Sequence, residues 1–156
     1  MNNVPPVARA LAELNIPHRV FRHPGPVASL EQAAEERGQR PEQVIRSLVF
    51  RVAADEYVMV LAAGPEQISW RNLRRYLGQS RLTTATEEEV RQVTGYERGA
   101  VGPFGLPAPM RILADEQVFV PDEVSIGSGI RGTTVILKTA DLRRALGNVE
   151  IGTFVE

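Results

Sequence analysis

Cysteine is absent from this chain of 156 residues, and histidine occurs only at His18 and His23. The lack of cysteine excludes a disulfide scaffold, a thiolate zinc site and a cysteine nucleophile. The two histidines have no carboxylate cluster near them in the sequence with the spacing of metal ligands. We therefore expect no metal site, and we expect both histidines at the surface or in a capping role.

Long hydrophobic runs and a strong net charge are also absent. No run of roughly 18 apolar residues occurs, and the N-terminal MNNVPP lacks the basic and apolar regions of a signal peptide. These features predict a cytoplasmic protein that does not enter a membrane. The 18 basic and 19 acidic residues give a formal net charge of -1, which argues against a general DNA- or RNA-coating surface but permits contact with a few phosphates.

Lysine is nearly absent, because 17 of the 18 basic residues are arginine and Lys138 is the only lysine. A single arginine is therefore less informative here than in most proteins. Arg46 still stands out, since it interrupts the apolar run VIRSLVF at residues 44–50. A cation in a buried strand needs a partner or an anionic ligand, so a structural salt bridge and a ligand contact are both open.

Helical and strand patterns alternate irregularly along the chain. Apolar spacing and capping residues predict helices over residues 4–15, 30–37 and 70–77, after the capping box of Thr86 and Glu89, and from a Thr139 cap to Leu146. Apolar and β-branched runs predict strands over residues 17–23, 44–53, 57–63, 110–114, 118–120 and 133–138. With no repeat or flexible linker, this order predicts one α+β domain over residues 1–156.

Two glycine-rich segments are the candidates for a ligand site. Residues 95–105 contain four glycines, which allow the backbone to approach a ligand and direct N–H groups at a carbonyl or phosphate oxygen. Residues 125–133 form a second cluster that can build the opposite wall of a pocket. A tight connector and a bulged hairpin are the structural alternatives. Neither segment ends in Gly-Lys-Ser/Thr, so the sequence does not favour a nucleotide-hydrolysing phosphate loop.

Three segments, in order, resemble the YbaK family of prolyl-tRNA editing proteins and the editing insertion of prolyl-tRNA synthetase. Residues 43–50, QVIRSLVF, correspond to the family pattern Val-x-Lys-Thr/Ser-Leu. Residues 94–96, TGY, are followed by GAVGPFG at 99–105, which carries the Gly-x-x-x-Pro loop. Residues 129–132, GIRG, precede a strand. The likeness extends from the His23-Pro24 region to Leu146.

The resemblance implies a mixed, strongly curved β-sheet flanked by helices. It also implies an enzyme that acts in trans and hydrolyses the ester between a wrong amino acid and the terminal adenosine of tRNA. The expected substrates are small residues such as Ala or Cys on proline tRNA, and no metal or organic cofactor is expected. The expected partners are the tRNA acceptor end and an aminoacyl-tRNA synthetase.

Ester hydrolysis requires a positioned water, stabilisation of the developing oxyanion and a hold on the terminal ribose. We predict that Arg46, Gly99 and Pro103 carry catalysis, with loop amides on the carbonyl or ribose side. The predicted substrate-binding residues are Phe21, Ser47, Ala100, Val101, Gly102, Gly127, Ser128, Gly129, Arg131 and Thr134. A pocket for Ala or Cys discriminates mainly by volume, at about 1–3 kcal/mol per methylene.

Two positions depart from the family pattern. Arg46 replaces the signature lysine, and arginine does not release a proton as a buried lysine can. Thr134 stands where relatives commonly have an acidic residue, so it offers no charge to a substrate ammonium. Three functions are therefore weighed: a tRNA deacylase, a non-catalytic module that binds an acceptor end or an amino-acid-like ligand, and a structural partner of a synthetase.

Overall fold

The computed structural model describes residues 4–156, so the first three residues of the predicted domain and of the N-terminal segment lie outside it. The helices are α1 (Pro6–Glu13), α2 (Leu30–Arg37), α3 (Trp70–Leu77), α4 (Glu87–Thr94) and α5 (Thr139–Leu146). The strands are β1 (Arg19–Arg22), β2 (Ile45–Ala53), β3 (Glu56–Ala63), β4 (Thr83–Thr84), β5 (Arg111–Asp115), β6 (Glu123–Gly127), β7 (Thr133–Lys138) and β8 (Glu150–Gly152). The predicted α+β class is confirmed.

The strands form two sheets. One has the order β1-β7-β6 and is antiparallel throughout. The other has the order β4-β2-β3-β5-β8 and is mixed, since β3 pairs in parallel with β5 and β5 in parallel with β8. A single parallel bridge between Val44 and Ser125 joins the two sheets. The mixed sheet expected from the resemblance is therefore divided into two parts that meet at the start of β2.

Alternation along the central strands separates two hydrophobic clusters. On β3, Met59 and Leu61 join a cluster with residues of α1, α4, α5 and the three-stranded sheet. Their neighbours Val58 and Val60 join a second cluster with α3 and the buried Phe154. Successive strand side chains point to opposite faces, so this strand is apolar on both sides. It pairs antiparallel with β2.

Each of the five α-helices spans eight residues, and local capping residues define most of their ends. The Ser29, Ser69 and Thr86 side chains each accept a hydrogen bond from the backbone N–H three residues later. Thr86 also forms the predicted capping box with Glu89. Gly38, Gly78 and Gly95 end their helices at positive φ. No helix in residues 4–156 is long and apolar enough to cross a membrane.

Three local predictions are wrong. Residues 118–120 are not a strand, because the Asp115 carboxylate accepts the Gln117 amide and initiates a 3-10 helix over Glu116–Phe119. The strand of this region is instead β6, whose last three residues belong to the second glycine-rich segment, residues 125–133. Thr139 does not cap α5: it is the first helical residue, and the cap position is held by Lys138 without a side-chain bond.

Candidate functional site

The two glycine-rich segments lie against each other. The Gly129 N–H donates to the Ala100 carbonyl at 2.8 Å. A Cβ on Gly127 would lie 1.9 Å from the Val101 oxygen, and a Cβ on Gly102 would lie 2.2 Å from the Gly127 oxygen. Only glycine permits this backbone approach. Segments about 25 residues apart in sequence thus form one continuous wall.

A cleft separates this wall from β2. It consists of two adjoining cavities of about 310 and 410 Å³. On the edge of β2 that does not pair with β3, Phe50 and Arg51 pair with β4, and the Val49 carbonyl accepts from the Ala85 N–H. Val44, just before β2, bridges to Ser125. The cavities share five lining residues: Arg46, Ser47, Leu48, Arg98 and Val101.

The structure brings six of the predicted site residues to this cleft. They come from β2, from the first glycine segment, and from β6 and β7: Arg46, Ser47, Gly99, Val101, Gly127 and Thr134. Their roles remain predictions, but their convergence has a simple structural origin. The strand β2, the first glycine segment and the β6–β7 pair are remote from one another in sequence and meet where the two sheets join.

The other seven predicted residues do not line either cavity. Ala100, Gly102 and Pro103 are buried within the wall, and Gly129 is half-buried there. Ser128 is fully buried, and its hydroxyl is bonded to Ile130 and Thr133. Phe21 lies on β1 opposite Thr134, with its ring against that of His23.

Arg131 is exposed and ties the two glycine segments together from outside the cleft. Its Nε donates to Glu97 Oε2 at 3.0 Å, and its Nη2 donates to the Arg98 carbonyl at 3.1 Å. Both acceptors precede Gly99 in the first segment. The guanidinium is therefore used in a link between the two halves of the wall.

The Arg46 guanidinium binds backbone carbonyls. Its Nε donates to the Gly64 oxygen at 2.8 Å, and its Nη2 donates to the Glu66 oxygen. Among the described residues it forms no salt bridge. Its structural role is instead to hold two carbonyls of the segment that follows β3. Desolvation lowers the pKa of Arg46, but a guanidinium remains protonated.

Two hydroxyls line the cleft and differ in their hydrogen bonding. Thr134 Oγ1 donates to the Ile126 carbonyl at 2.7 Å. Ser47 Oγ is buried and has no hydrogen-bond partner among the described residues. A buried polar atom without a partner costs free energy, so it marks a position where a ligand or water can complete the bonding.

Arg37 is a lining residue that the sequence did not reveal. Its Nη1 donates to Ser125 Oγ at 2.8 Å and its Nε to His23 Nε2 at 3.1 Å. Burial lowers its pKa to about 10. In the sequence it is an ordinary basic residue in the last turn of a helix, and only the contact with β6 distinguishes it.

His23 is not at the surface, which corrects one of the two roles expected for it. Its side chain is 3% exposed, and its Nδ1 lies 2.6 Å from Glu36 Oε1. Because Arg37 donates to Nε2, the proton sits on Nδ1 and is donated to Glu36. His18 Nδ1 is bonded to the Ile16 carbonyl at 2.8 Å. Within residues 4–156, no group of three metal-ligating side chains occurs.

The charge in the cleft has one sign. Arg37, Arg46 and Arg98 line it, and the described residues that line the two cavities include no aspartate, glutamate or histidine. Such a lining attracts an anionic group or a developing negative charge.

Comparison with known proteins now identifies the family. The aminoacyl-tRNA editing domain pattern matches residues 24–145. The chain belongs to the aminoacyl-tRNA editing family. The predicted resemblance is therefore confirmed, and the two glycine segments and the Arg46 strand all fall within the matched region.

Two relatives differ in how much of their own length this chain matches. It is 32% identical over 130 residues to the multifunctional Ser/Thr-tRNA deacylase ProXp-y of Escherichia coli K12, which covers 81% of this chain and 77% of that protein. It is 44% identical over 77 residues to a proline–tRNA ligase of Streptococcus thermophilus, covering 49% of this chain but only 12% of the ligase.

The fold of this chain also matches solved structures. A candidate trans-editing enzyme for prolyl-tRNA synthetase superposes with a TM-score of 0.86 at 27% identity, covering 97% of this chain and 95% of that one. The two folds therefore agree over nearly all of both chains.

Proposed function

We propose that this protein is an aminoacyl-tRNA deacylase that acts in trans and hydrolyses misacylated tRNA. The observation that carries the proposal is the cleft in which Arg46 and Ser47 face both glycine segments within an editing-family fold. The proposed partner is the acceptor end of tRNA, with an aminoacyl-tRNA synthetase as a second partner, and the cytoplasm remains the expected compartment.

The lining supports hydrolysis by a positioned water rather than by a side-chain nucleophile with its own base. Within residues 4–156, no histidine or carboxylate lines the cleft. The guanidinium groups and the glycine-loop amides can stabilise negative charge as the ester oxygen becomes an oxyanion. Ser47 Oγ is available to bond to the ester or the attacking water, because no described residue uses it. The aminoacyl ester is labile enough for this arrangement.

The smaller cavity suits a compact acyl group, and Ala or Cys on proline tRNA is the first proposed substrate class. Its volume of about 310 Å³ must accommodate the acyl group together with the ester. Thr134 brings a hydroxyl and no charge. Ser and Thr esters belong in the same test, since the relative from Escherichia coli is named for them.

A second candidate function is a catalytically impaired module that binds an acceptor end. The observation in its favour is that two Arg46 nitrogens already hold the carbonyls of Gly64 and Glu66. If the lysine of the family acts through an ammonium that is free to contact the substrate, Arg46 does not replace it, because its nitrogens already bind these carbonyls.

Ester loss from Ala-, Cys-, Ser- and Thr-esters of proline tRNA tests both functions. We expect the protein to accelerate the loss of at least one ester. Arg46→Lys should lower kcat/KM by roughly tenfold, because one ammonium does not hold both carbonyls. Arg51→Lys is the matched control, since Arg51 lies on the same strand outside the cleft with 47% of its side chain exposed.

No acceleration with any of the four esters would contradict the proposal. An inactive parent together with an active Arg46→Lys variant would favour the binding module, whereas an active parent would eliminate it.

A further inference from the structure

The larger cavity has a lining unlike that of the smaller one. Much of its lining is an apolar and aromatic wall formed by Phe50, Ile68, Trp70 and Val90, none of which lines the smaller cavity. The Phe50 and Trp70 rings meet edge to face, with centroids 5.3 Å apart and an interplanar angle of 88°. None of these side chains has a role in the proposed hydrolysis.

We propose that the larger cavity binds the adenine base of the terminal nucleotide while the smaller cavity holds the acyl group. This assignment rests on the proposed function, because the ester joins the acyl group to the ribose of that nucleotide. The base must then lie beside the acyl site. Arg46, Ser47 and Leu48 line both cavities and so mark the position of the ester and ribose between them.

The dimensions and chemistry of the cavity fit a nucleobase. Its volume of about 410 Å³ falls in the range of small-molecule sites, roughly 300–1,000 Å³. Aromatic side chains bind bases by stacking. Gln67, at the same wall, carries an amide that can both donate to and accept from the edge of an adenine.

The charges at the junction fit the rest of the nucleotide. Arg46 and Arg98 line the larger cavity, and no carboxylate does. Arg98 donates to the Ala85 carbonyl and, among the described residues, forms only a long ion pair of 4.0 Å with the exposed Glu87. Because 48% of its side chain is exposed, a phosphate that enters from solvent can reach it. A base on the apolar wall and a phosphate near these arginines describe one mononucleotide.

Trp70 is the only tryptophan, so tryptophan fluorescence, excited where tyrosine does not absorb, reports on this wall alone. Titration with adenosine 5′-monophosphate should change the emission with a saturable dependence. Ribose 5-phosphate is the control ligand, because it carries the same sugar and phosphate without the base. We expect it to leave the emission unchanged at concentrations where the nucleotide saturates.

Substitution of Trp70 tests the same site in the deacylation assay. Trp70→Leu should raise KM by roughly tenfold with kcat within a factor of about two, since stacking aids binding and not chemistry. Trp70→Phe should restore most of the loss. Tyr76→Leu is the matched control, because Tyr76 lies on α3 outside the cavity and is 42% exposed.

Emission that does not respond to the nucleotide, or responds equally to ribose 5-phosphate, would overturn the base site. So would an unchanged KM in a folded Trp70→Leu variant. A variant with unchanged KM but altered preference among the esters would identify the larger cavity as the acyl site instead. Emission that responds to the nucleotide without any deacylation would retain the base site and reject the proposed function.

Discussion

At the scale of single residues, two buried serine hydroxyls differ in what they bond. Ser128 Oγ bonds to the Ile130 amide and carbonyl and to Thr133, which stabilises the turn before β7. Ser47 Oγ bonds to no described residue. Removing a satisfied hydroxyl destabilises the fold, whereas removing an unsatisfied one is neutral or stabilising.

Ser47→Ala should therefore leave stability within about 0.5 kcal/mol of the parent while lowering kcat roughly 10- to 100-fold. Ser128→Ala should instead cost about 1–3 kcal/mol in the free energy of unfolding. Urea unfolding and single-turnover deacylation measure the two effects. Full activity in Ser47→Ala would show that this hydroxyl does not act in the reaction.

At the scale of elements, the contact between β6 and the first glycine segment fixes the cleft. A Cβ on Gly127 would meet backbone atoms, 1.9 Å from the Val101 oxygen and 2.6 Å from its carbon. Backbone has no rotamer with which to avoid the clash. The segments must separate to accept any side chain.

Gly127→Ala should lower the free energy of unfolding by about 1–3 kcal/mol and widen the cleft. Gly25→Ala is the control, because a Cβ there meets nothing within 4 Å. Thermal unfolding measures the loss, and deacylation of the remaining folded fraction should fall as well. Equal melting temperatures for the two variants would contradict the close approach.

Elements were predicted well where local chemistry decides them. Ser29, Ser69 and the box of Thr86 and Glu89 cap the helices as expected, because a cap needs only its own first turn. Residues 118–120 carry strand-forming side chains, but the carboxylate of Asp115 starts a 3-10 helix there. The two-residue β4 and three-residue β8 have too little pattern to be found without their partners.

At the scale of the whole molecule, Glu150 connects three elements. Its carboxylate accepts from Arg111 Nε and Nη2, each at 2.8 Å, and from the Tyr76 hydroxyl at 2.9 Å, joining β8, β5 and α3. The hydrogen bonds from Arg111 are the main cause that lowers the pKa of Glu150 below its ordinary value of 4.5. The pKa values of Glu36 and Glu89 are also lowered, mainly by His23 and by the Thr86 amide respectively.

These shifts predict the direction of acid destabilisation. A carboxyl whose pKa is lower in the folded state contributes fully above its unfolded pKa and loses that contribution as pH falls through the folded value. The melting temperature should therefore fall as pH decreases below about 4.5. At neutral pH the melting temperature of Glu150→Gln should be lower than that of the parent. The difference between the two melting temperatures should become smaller in acid. Glu31→Gln, at an exposed site without a described ion pair, is the control. A gap that stays constant with pH would contradict the role of the Glu150 carboxylate.

The sequence by itself determined the α+β class, most helix ends, the β2–β3 hairpin and the family, because these depend on residues close together in the chain or on ordered motifs. Only the tertiary structure decided what Arg46 bonds to, that Arg37 reaches the cleft from α2, and that Trp70 and Phe50 build its apolar wall. Each of these depends on a contact between elements distant along the chain. The direction of a side chain across such a contact is set by packing between sheets and loops, which local pattern does not encode.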